Sequence, residues 1–307
     1  LLIINSEYRF VSGKNIVTIG KFDGLHLGHK KIIDEVMRNR SSELGSNHST
    51  IVASFVDHPD TLLKKDYVGT LLDRSQKINK LENLGVDYYC ELPFDKKMMN
   101  TEAEDFFEEF IVSKWKTGIL VVGDDFTIGR NRRGDISLLN KLCCLHNIKM
   151  IVVPRLEYKG APVSSSRIKN ELIEGNVREA EYMLGYEYSF EGIVIEGNHL
   201  GRTIGLPTVN IKPEAGVLLP KFGVYGSLLD IFGITYKGIT NIGVKPTVEE
   251  KKIPLVETNI INFDGNLYGE TLKVRLKTFV RPEMKFNGLD ELKNQIETDK
   301  NSWTNMN

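Results

Sequence analysis

A ten-residue stretch, Gly20-Lys21-Phe22-Asp23-Gly24-Leu25-His26-Leu27-Gly28-His29, constrains this chain more than any other. Ile16-Val17-Thr18-Ile19 precedes it, a β-branched run that reads as a buried parallel strand. Apolar residues at 32, 33, 36 and 37 follow it with helical spacing. The stretch is therefore a strand-to-helix turn. Its glycines let backbone approach a ligand closely, and the helix behind it presents unpaired N–H groups and a positive dipole end. His26 and His29, three apart, project from one face of the first helical turn. The pattern predicts a phosphate site for a nucleoside triphosphate, with Gly20, Phe22, Asp23 and Gly24 forming its loop. A metal pair is the weaker reading, because no third ligand stands nearby with zinc-like spacing.

The rest of the first half alternates strands with helices. Strand signals cover Thr50 to Phe55, Val86 to Leu92, Gly118 to Gly123 and Ile148 to Val153. Between them, Asp73 to Gly85 reads as a helix closed by glycine, and Thr101 to Glu104 as a capping box opening a helix with Phe106, Phe107, Phe110 and Ile111 in the core. This alternation predicts a doubly wound parallel α/β sheet, whose ligands sit past the carboxyl ends of its strands. His58 occupies such a place, as does Asp125. Arg130, Arg132 and Arg133 form either a phosphate loop or a solvated charge run. Ser164, Ser165 and Ser166 head a helix with Arg167 and Lys169, which caps it or clamps a leaving pyrophosphate.

Beyond Gly185 the periodicity changes to short alternating strands, at Phe190 to Glu196, Gly223 to Leu229, Lys237 to Ile242 and Leu272 to Phe279, with a final helix from Leu289 to Ile296. That is an antiparallel barrel or sandwich, and it predicts domains at 1–186 and 187–307. The 307 residues suit two domains. In Gly201-Arg202-Thr203-Ile204-Gly205-Leu206-Pro207-Thr208-Val209-Asn210, glycines flank the basic Arg202, and Thr208 and Asn210 face one side of a strand, where hard oxygens suit Mg²⁺. Glu257 places a carboxylate inside a β-rich run, and Asp264-Gly265 carries the hairpin-turn signal.

Composition narrows the partners. A net charge of −1 argues against nucleic acid, which needs a basic excess. Three cysteines without a paired framework fit a reducing cytoplasm. No apolar run approaches the ~20 residues that cross a bilayer, and the start lacks signal-peptide features, so a soluble protein with no membrane partner is expected. Self-association is not readable.

GKFDGLHLGH, FVDHP, VVGDDFTIG and VSSSRIK, in that order, resemble the adenylyltransferase half of the bacterial bifunctional FAD synthases (riboflavin kinase/FMN adenylyltransferase). GRTIGLPTVNI, TNIGVKPTVEE and ETNIINFDGNLYGE resemble the riboflavin kinase half. The resemblance implies a nucleotidyltransferase sheet and a six-stranded β-barrel. It implies ATP and Mg²⁺ as cofactors, with riboflavin, FMN and FAD as substrates and products. Carried over residue by residue, His26, His29, Ser164 and Ser165 handle ATP phosphates, Asp125 lies near the nucleotide, Thr208 and Asn210 hold Mg-ATP, and Glu257 is the base for the ribityl 5′-hydroxyl. Departures stand at Asp57 (family proline), Lys169 (arginine), Val209 (alanine), Lys245 (arginine) and Asn259 (histidine). Lys169 keeps its charge but loses the bidentate fork. Two rival readings follow. One is an adenylyltransferase whose barrel only binds flavin or acts as scaffold. The other is a different HxGH enzyme, such as a tRNA-directed one.

Overall fold

A computed structural model describes residues 1–42, 48–56, 68–196, 207–246 and 252–306. His58, Arg202 and Asp57, and the Lys245 side chain, lie outside what it describes. The chain divides into two compact units, Leu1–Ser164 and Ser165–Asn307.

The first unit is built on six parallel strands: β1 (Leu2–Asn5), β2 (Asn15–Ile19), β3 (Thr50–Phe55), β4 (Tyr88–Leu92), β5 (Thr117–Gly123) and β6 (Lys149–Val153), in spatial order β1-β4-β3-β2-β5-β6. Its helices are α1 (Leu27–Ser42), α2 (Arg74–Asn83), α3 (Lys96–Asn100), α4 (Ala103–Phe106, continuing as a π-helix over Phe107–Lys114) and α5 (Ile136–Leu145). A small hairpin of β7 (Glu157–Tyr158) and β8 (Ala161–Pro162) precedes Ser164. Every residue of β2 is buried because both sheet faces are covered. Val17, Ile19, Leu120 and Val122 pack with the aromatics Phe106, Phe107 and Phe110 on one face. Ile16, Ile119 and Val121 pack with Val36 of α1 on the other. The strand order reverses between β2 and β5, which puts the switch-point crevice at their carboxyl ends.

Two local expectations fail here. The helix after Thr101 has no capping box: Glu102 is its N-cap without a side-chain bond, and the Thr101 hydroxyl donates to the Lys97 carbonyl at 2.9 Å. The box that does form lies at α2, where Asp73 accepts from the Gln76 amide at 2.7 Å and the Gln76 side chain returns the bond. The edge strand β1 carried no sequence signal, being short and exposed at Leu2 and Ile3.

The second unit opens with α6 (Ser165–Glu174) and α7 (Val177–Leu184), and then closes a barrel from β9 (Ser189–Ile195), β10 (Thr208–Ile211), β11 (Gly223–Ile231), β12 (Ile234–Pro246), β13 (Lys252–Ile260) and β14 (Thr271–Arg281). Barrel order is β10-β13-β12-β11-β14-β9, every pairing antiparallel. The two helices pack on it: the Lys221 amide donates to the Leu172 carbonyl at 2.9 Å, and Lys277 meets Glu181 and Glu187. Asp264-Gly265 does not close a hairpin, because β13 and β14 are not neighbours and 261–270 crosses between them. The tight turn is Phe232-Gly233, with φ of 48° and 81°, joining β11 to β12. The last helix, α8 (Leu289–Asn305), runs beyond Ile296 because its end is docked. Asp299 pairs with Arg281, and Trp303 lies against Gly226, where a Cβ would stand 2.5 Å from the indole.

Alternation settles which barrel face is which. Val194, Ile211, Val256, Thr258, Thr240, Ser227 and Val274 point into the interior and are buried, whereas Ile193 and Ile195 point out and are exposed. Inside, a rung of hydroxyls runs from Ser227 to Thr240 (2.7 Å) to Thr258 (2.9 Å), each satisfying the next.

Candidate active sites

The turn after β2 takes a strained path to the switch point. Phe22 and Leu25 have φ of 44° and 39°, left-handed values that bulky residues rarely adopt, and Gly24 has 85°. Buried contacts hold that path. Phe22 and Leu25 are both buried, and the Asp23 carboxylate accepts the Leu71 amide at 2.7 Å. The Ser54 hydroxyl donates to the Lys21 carbonyl at 2.9 Å.

His26 is the N-cap of α1. Its carbonyl accepts the first helical bond from Lys30 at 2.9 Å, and its Nδ1 accepts the His29 amide at 3.3 Å, as a serine or aspartate oxygen does at other helices. With Nδ1 an acceptor, the ring proton sits on Nε2, which is left as a donor. Burial pushes the His26 imidazole down to about 4, a fall that the nearby Asp23 carboxylate opposes without cancelling. His29 stacks on it with centroids 3.7 Å apart and planes 17° apart, and meets the Phe22 ring edge-on at 5.2 Å. His29 is only partly covered as a residue, yet its Nδ1 is buried and unpartnered. Burial, then His26, then Lys77 hold it well below the ordinary histidine range. Both rings are therefore neutral near pH 7, and they bring donors rather than charge.

Gly28 is required by this stack. A Cβ there would stand 3.2 Å from Cε1 and Nδ1 of His26, and 3.8 Å from the Val163 carbonyl oxygen. That last contact brings the segment ending in Ser164 against the HxGH turn. Gly20 makes similar room for the Phe22 ring, at 3.2 Å. Asp125 is exposed just past β5, and its Oδ1 would meet a Cβ on Gly123 at 3.3 Å, so it shares the switch-point end with the histidines. The arginine run is structural in part: Arg132 donates to Thr127 at 3.0 Å, and Arg130 pairs with Glu102 at 3.7 Å. Ser165, Arg167 and Lys169 stand in the opening turns of α6 in the second unit, with Lys169 buried. Lys77 of α2 drew no attention from its sequence, where a lysine in a polar helix reads as solvated. Its ammonium donates to the Lys21 carbonyl at 3.3 Å.

In the barrel, the register sets Asn210 opposite Glu257 and Thr208 opposite Asn259, all four on the outer face. The Thr208 hydroxyl donates to Glu257 Oε1 at 2.8 Å. Val209 points the other way, inward, opposite Thr258. Asn259 is buried and donates from Nδ2 to the Pro207 carbonyl at 2.8 Å, pinning the residue before Thr208. Asn210 is buried too, and its Oδ1 has no partner. A buried carboxamide oxygen without a donor, beside a hydroxyl whose lone pairs remain open, is a hard-oxygen set that fits Mg²⁺. A groove of about 460 Å³, bordered by Pro207, Thr208, Val209, Phe263 and Tyr268, opens beside it. A polar cavity of about 540 Å³ near Leu2, Arg40, Ser49 and Asp87 lies at the amino-terminal ends of the sheet strands, away from this chemistry. Among the described residues, no cluster of three or more His, Cys, Asp or Glu is placed to hold a metal.

One chain thus joins a parallel-sheet unit with a histidine-capped strand-to-helix turn to a closed barrel bearing a carboxylate among hard oxygens, the make-up of a two-domain enzyme. Residues 10–167 match the FAD synthetase family model and residues 184–307 the riboflavin kinase model. The chain is 34% identical over 299 residues to the bifunctional riboflavin kinase/FMN adenylyltransferase of Bacillus subtilis (strain 168), covering 94% of this chain and 90% of that one. It is 33% identical over 293 residues to the enzyme of the same name from Buchnera aphidicola subsp. Schizaphis graminum, covering 94% and 93%. A crystal structure of a macrolide-efflux protein from Streptococcus pneumoniae superposes over the whole of both chains with a TM-score of 0.88 at 27% identity. Among the described residues, no helix is long and apolar enough to cross a membrane. The chain belongs to the bifunctional riboflavin kinase/FMN adenylyltransferase family.

Proposed function

We infer that this protein makes flavin cofactors in two ATP-dependent steps, phosphorylating riboflavin to FMN and adenylylating FMN to FAD. The observation that carries this reading is the coincidence of both family matches with two folded centres, each with polar groups arranged for phosphate chemistry. The division of labour we propose is 1–186 for adenylyl transfer and 187–307 for phosphorylation.

In the barrel, Glu257 takes the proton of the ribityl 5′-hydroxyl as that oxygen attacks the γ-phosphorus of ATP, and ADP leaves. The Thr208 hydroxyl orients the carboxylate, and Arg202 contributes to the nucleotide site. Asn210 and Thr208 would hold Mg²⁺, which when bound spreads charge over the phosphates. Asn259 stands where the family has histidine, yet it anchors Pro207 from a buried position, which supports an adapted kinase site over a disused one.

In the sheet unit, a phosphate oxygen of FMN attacks the α-phosphorus of a second ATP, and pyrophosphate leaves. The nucleophile is already anionic, so alignment and charge stabilisation suffice. His26 offers its Nε2 proton and His29 its exposed edge to the phosphates, at the start of α1. Gly20, Phe22, Asp23 and Gly24 shape the loop. His58, Asp125 and Ser164 serve the same nucleotide, and the family resemblance adds Ser165, Arg167 and Lys169 at the head of α6 as phosphate contacts. In this reading the protein acts on small molecules in the cytoplasm, with neither nucleic acid nor membrane as partner. The near-zero charge and three free thiols support it.

The test is chromatography of products from riboflavin, ATP and Mg²⁺. The parent forms FMN and then FAD. His29→Ala lowers FAD formation ~10²–10³-fold and spares FMN formation. Glu257→Gln lowers FMN formation ~10²–10⁴-fold and spares FAD formation from added FMN. A parent that forms neither product would sink the reading.

A further inference from the structure

The two stacked histidines bring hydrogen-bond donors but no charge to the adenylyl-transfer centre, because both are neutral. A departing pyrophosphate carries several negative charges, and donors alone meet that demand poorly in a buried site. Lys77 sets a cation on the histidine turn itself, through the Lys21 carbonyl. It lies one turn into α2, a rigid platform for it. Asp73 caps that helix, and Arg74 grips Glu91 at the end of β4 through two bonds of 2.6 and 2.9 Å. Among the described residues, its ammonium has one hydrogen bond, to the neutral Lys21 carbonyl of the phosphate-type turn, and no ion pair. A lysine ammonium has three donors, so donor capacity remains. Two carboxylates lie within electrostatic reach but neither forms an ion pair with it among the described residues: Asp23, whose Oδ1 accepts the Leu71 amide, and Glu91, which is forked by Arg74. Burial pulls the Lys77 ammonium below the ordinary lysine range, and Asp23 and Glu91 only partly restore it. A half-buried, under-partnered cation beside His29 is destabilised until an anion arrives, which is the electrostatic condition of an anion site.

We propose that Lys77 is a catalytic residue of this centre, its ammonium binding the phosphate chain of ATP and neutralising the departing pyrophosphate. This rests on the adenylyl-transfer reading. In the step it serves, a new P–O bond forms between the FMN phosphate and the α-phosphorus. The α–β bridging P–O bond breaks, and its electron pair leaves on pyrophosphate. Lys77 supplies charge and hydrogen bonds and transfers no proton.

The experiment compares the full-length parent with Lys77→Met and Lys77→Arg. Mg-pyrophosphate is titrated calorimetrically, FMN-to-FAD and riboflavin-to-FMN turnover are measured, and folding is followed in urea. Lys77→Met should bind Mg-pyrophosphate at least ~10-fold more weakly and make FAD ~10²–10³-fold more slowly. Lys77→Arg should stay within ~10-fold of the parent in both, since it keeps the charge. Riboflavin phosphorylation should not change. Binding and FAD turnover in Lys77→Met within twofold of the parent would overturn the proposal. So would a weakened fold in Lys77→Met that Lys77→Arg shares, which marks a structural lysine. If the parent binds Mg-pyrophosphate and Lys77→Met loses it, but the parent forms no FAD, the lysine's phosphate role stands and the flavin reading falls.

Discussion

Gly28→Ala separates the geometry of the histidine pair from the stability of its helix. The new methyl carbon would stand 3.2 Å from two atoms of the His26 ring, against the ~3.5–4.0 Å of an ordinary carbon contact. On that difference the ring must move by roughly 0.3–0.8 Å. It is also stacked on His29 at 3.7 Å and hydrogen-bonded to the His29 amide at 3.3 Å, so those two contacts absorb the shift. In stability the terms nearly cancel. Alanine gains up to about 1 kcal/mol over glycine in a helix, and mild overpacking costs about 1 kcal/mol. In catalysis they do not cancel. A misplacement of ~1 Å costs ~10²-fold, so a shift of roughly 0.3–0.8 Å should cost on the order of 10-fold in FMN-to-FAD turnover. Riboflavin phosphorylation by the same preparation should be unchanged. The chain has two tryptophans, Trp115 in the sheet unit and Trp303 in the barrel unit. In a Trp303→Phe background, Trp115 fluorescence in urea therefore reports on the relevant unit alone. Full adenylyl-transfer activity in Gly28→Ala would refute the idea that ring placement requires this glycine. A stability loss above about 3 kcal/mol would show that Gly28 serves the fold instead, since it exceeds the overpacking cost worked above.

Three further outcomes are expected. His26 has a depressed value of about 4, so between that pH and 6.5 the unfolded state binds more protons. Stability is then intact above pH 6.5 and falls as pH drops towards 4, by roughly 3 kcal/mol in all, and His26→Gln should flatten the Trp115 urea midpoint over that range. An equal slope in parent and variant would be evidence against it. Asn259→Ala removes the hydrogen bond from a buried carboxamide to the Pro207 carbonyl and should cost ~0.5–1.5 kcal/mol in barrel melting, with a raised KM for Mg-ATP in the kinase step; an unchanged KM would detach Asn259 from the site. Val209→Ala removes two methyl groups from a half-buried inward position. It should cost ~1 kcal/mol and leave FMN formation intact, whereas a gain of kinase activity would show that Val209 displaces the strand.

Much of this protein is legible in one dimension because its signals are local. The β-branched run at 16–19, the glycines of the turn and the change of period near Gly185 each report on a few consecutive residues, and strand alternation places Thr208 and Asn210 on one face before any partner is known. Distance in the chain hid the rest. Asp264-Gly265 has hairpin chemistry but bridges strands that are not neighbours, a matter of barrel closure. The last helix outruns its own pattern because Trp303 and Asp299 dock on Gly226 and Arg281. Sequence could place two histidines side by side, but their neutrality comes from burial by the folded turn. Lys77 stands 48 residues from His29, and nothing in a polar helix marks it until the folded unit sets its ammonium on the Lys21 carbonyl. Local propensity chooses elements and faces. Burial, partner identity and charge state depend on groups that only the closed fold brings within a few ångströms of one another.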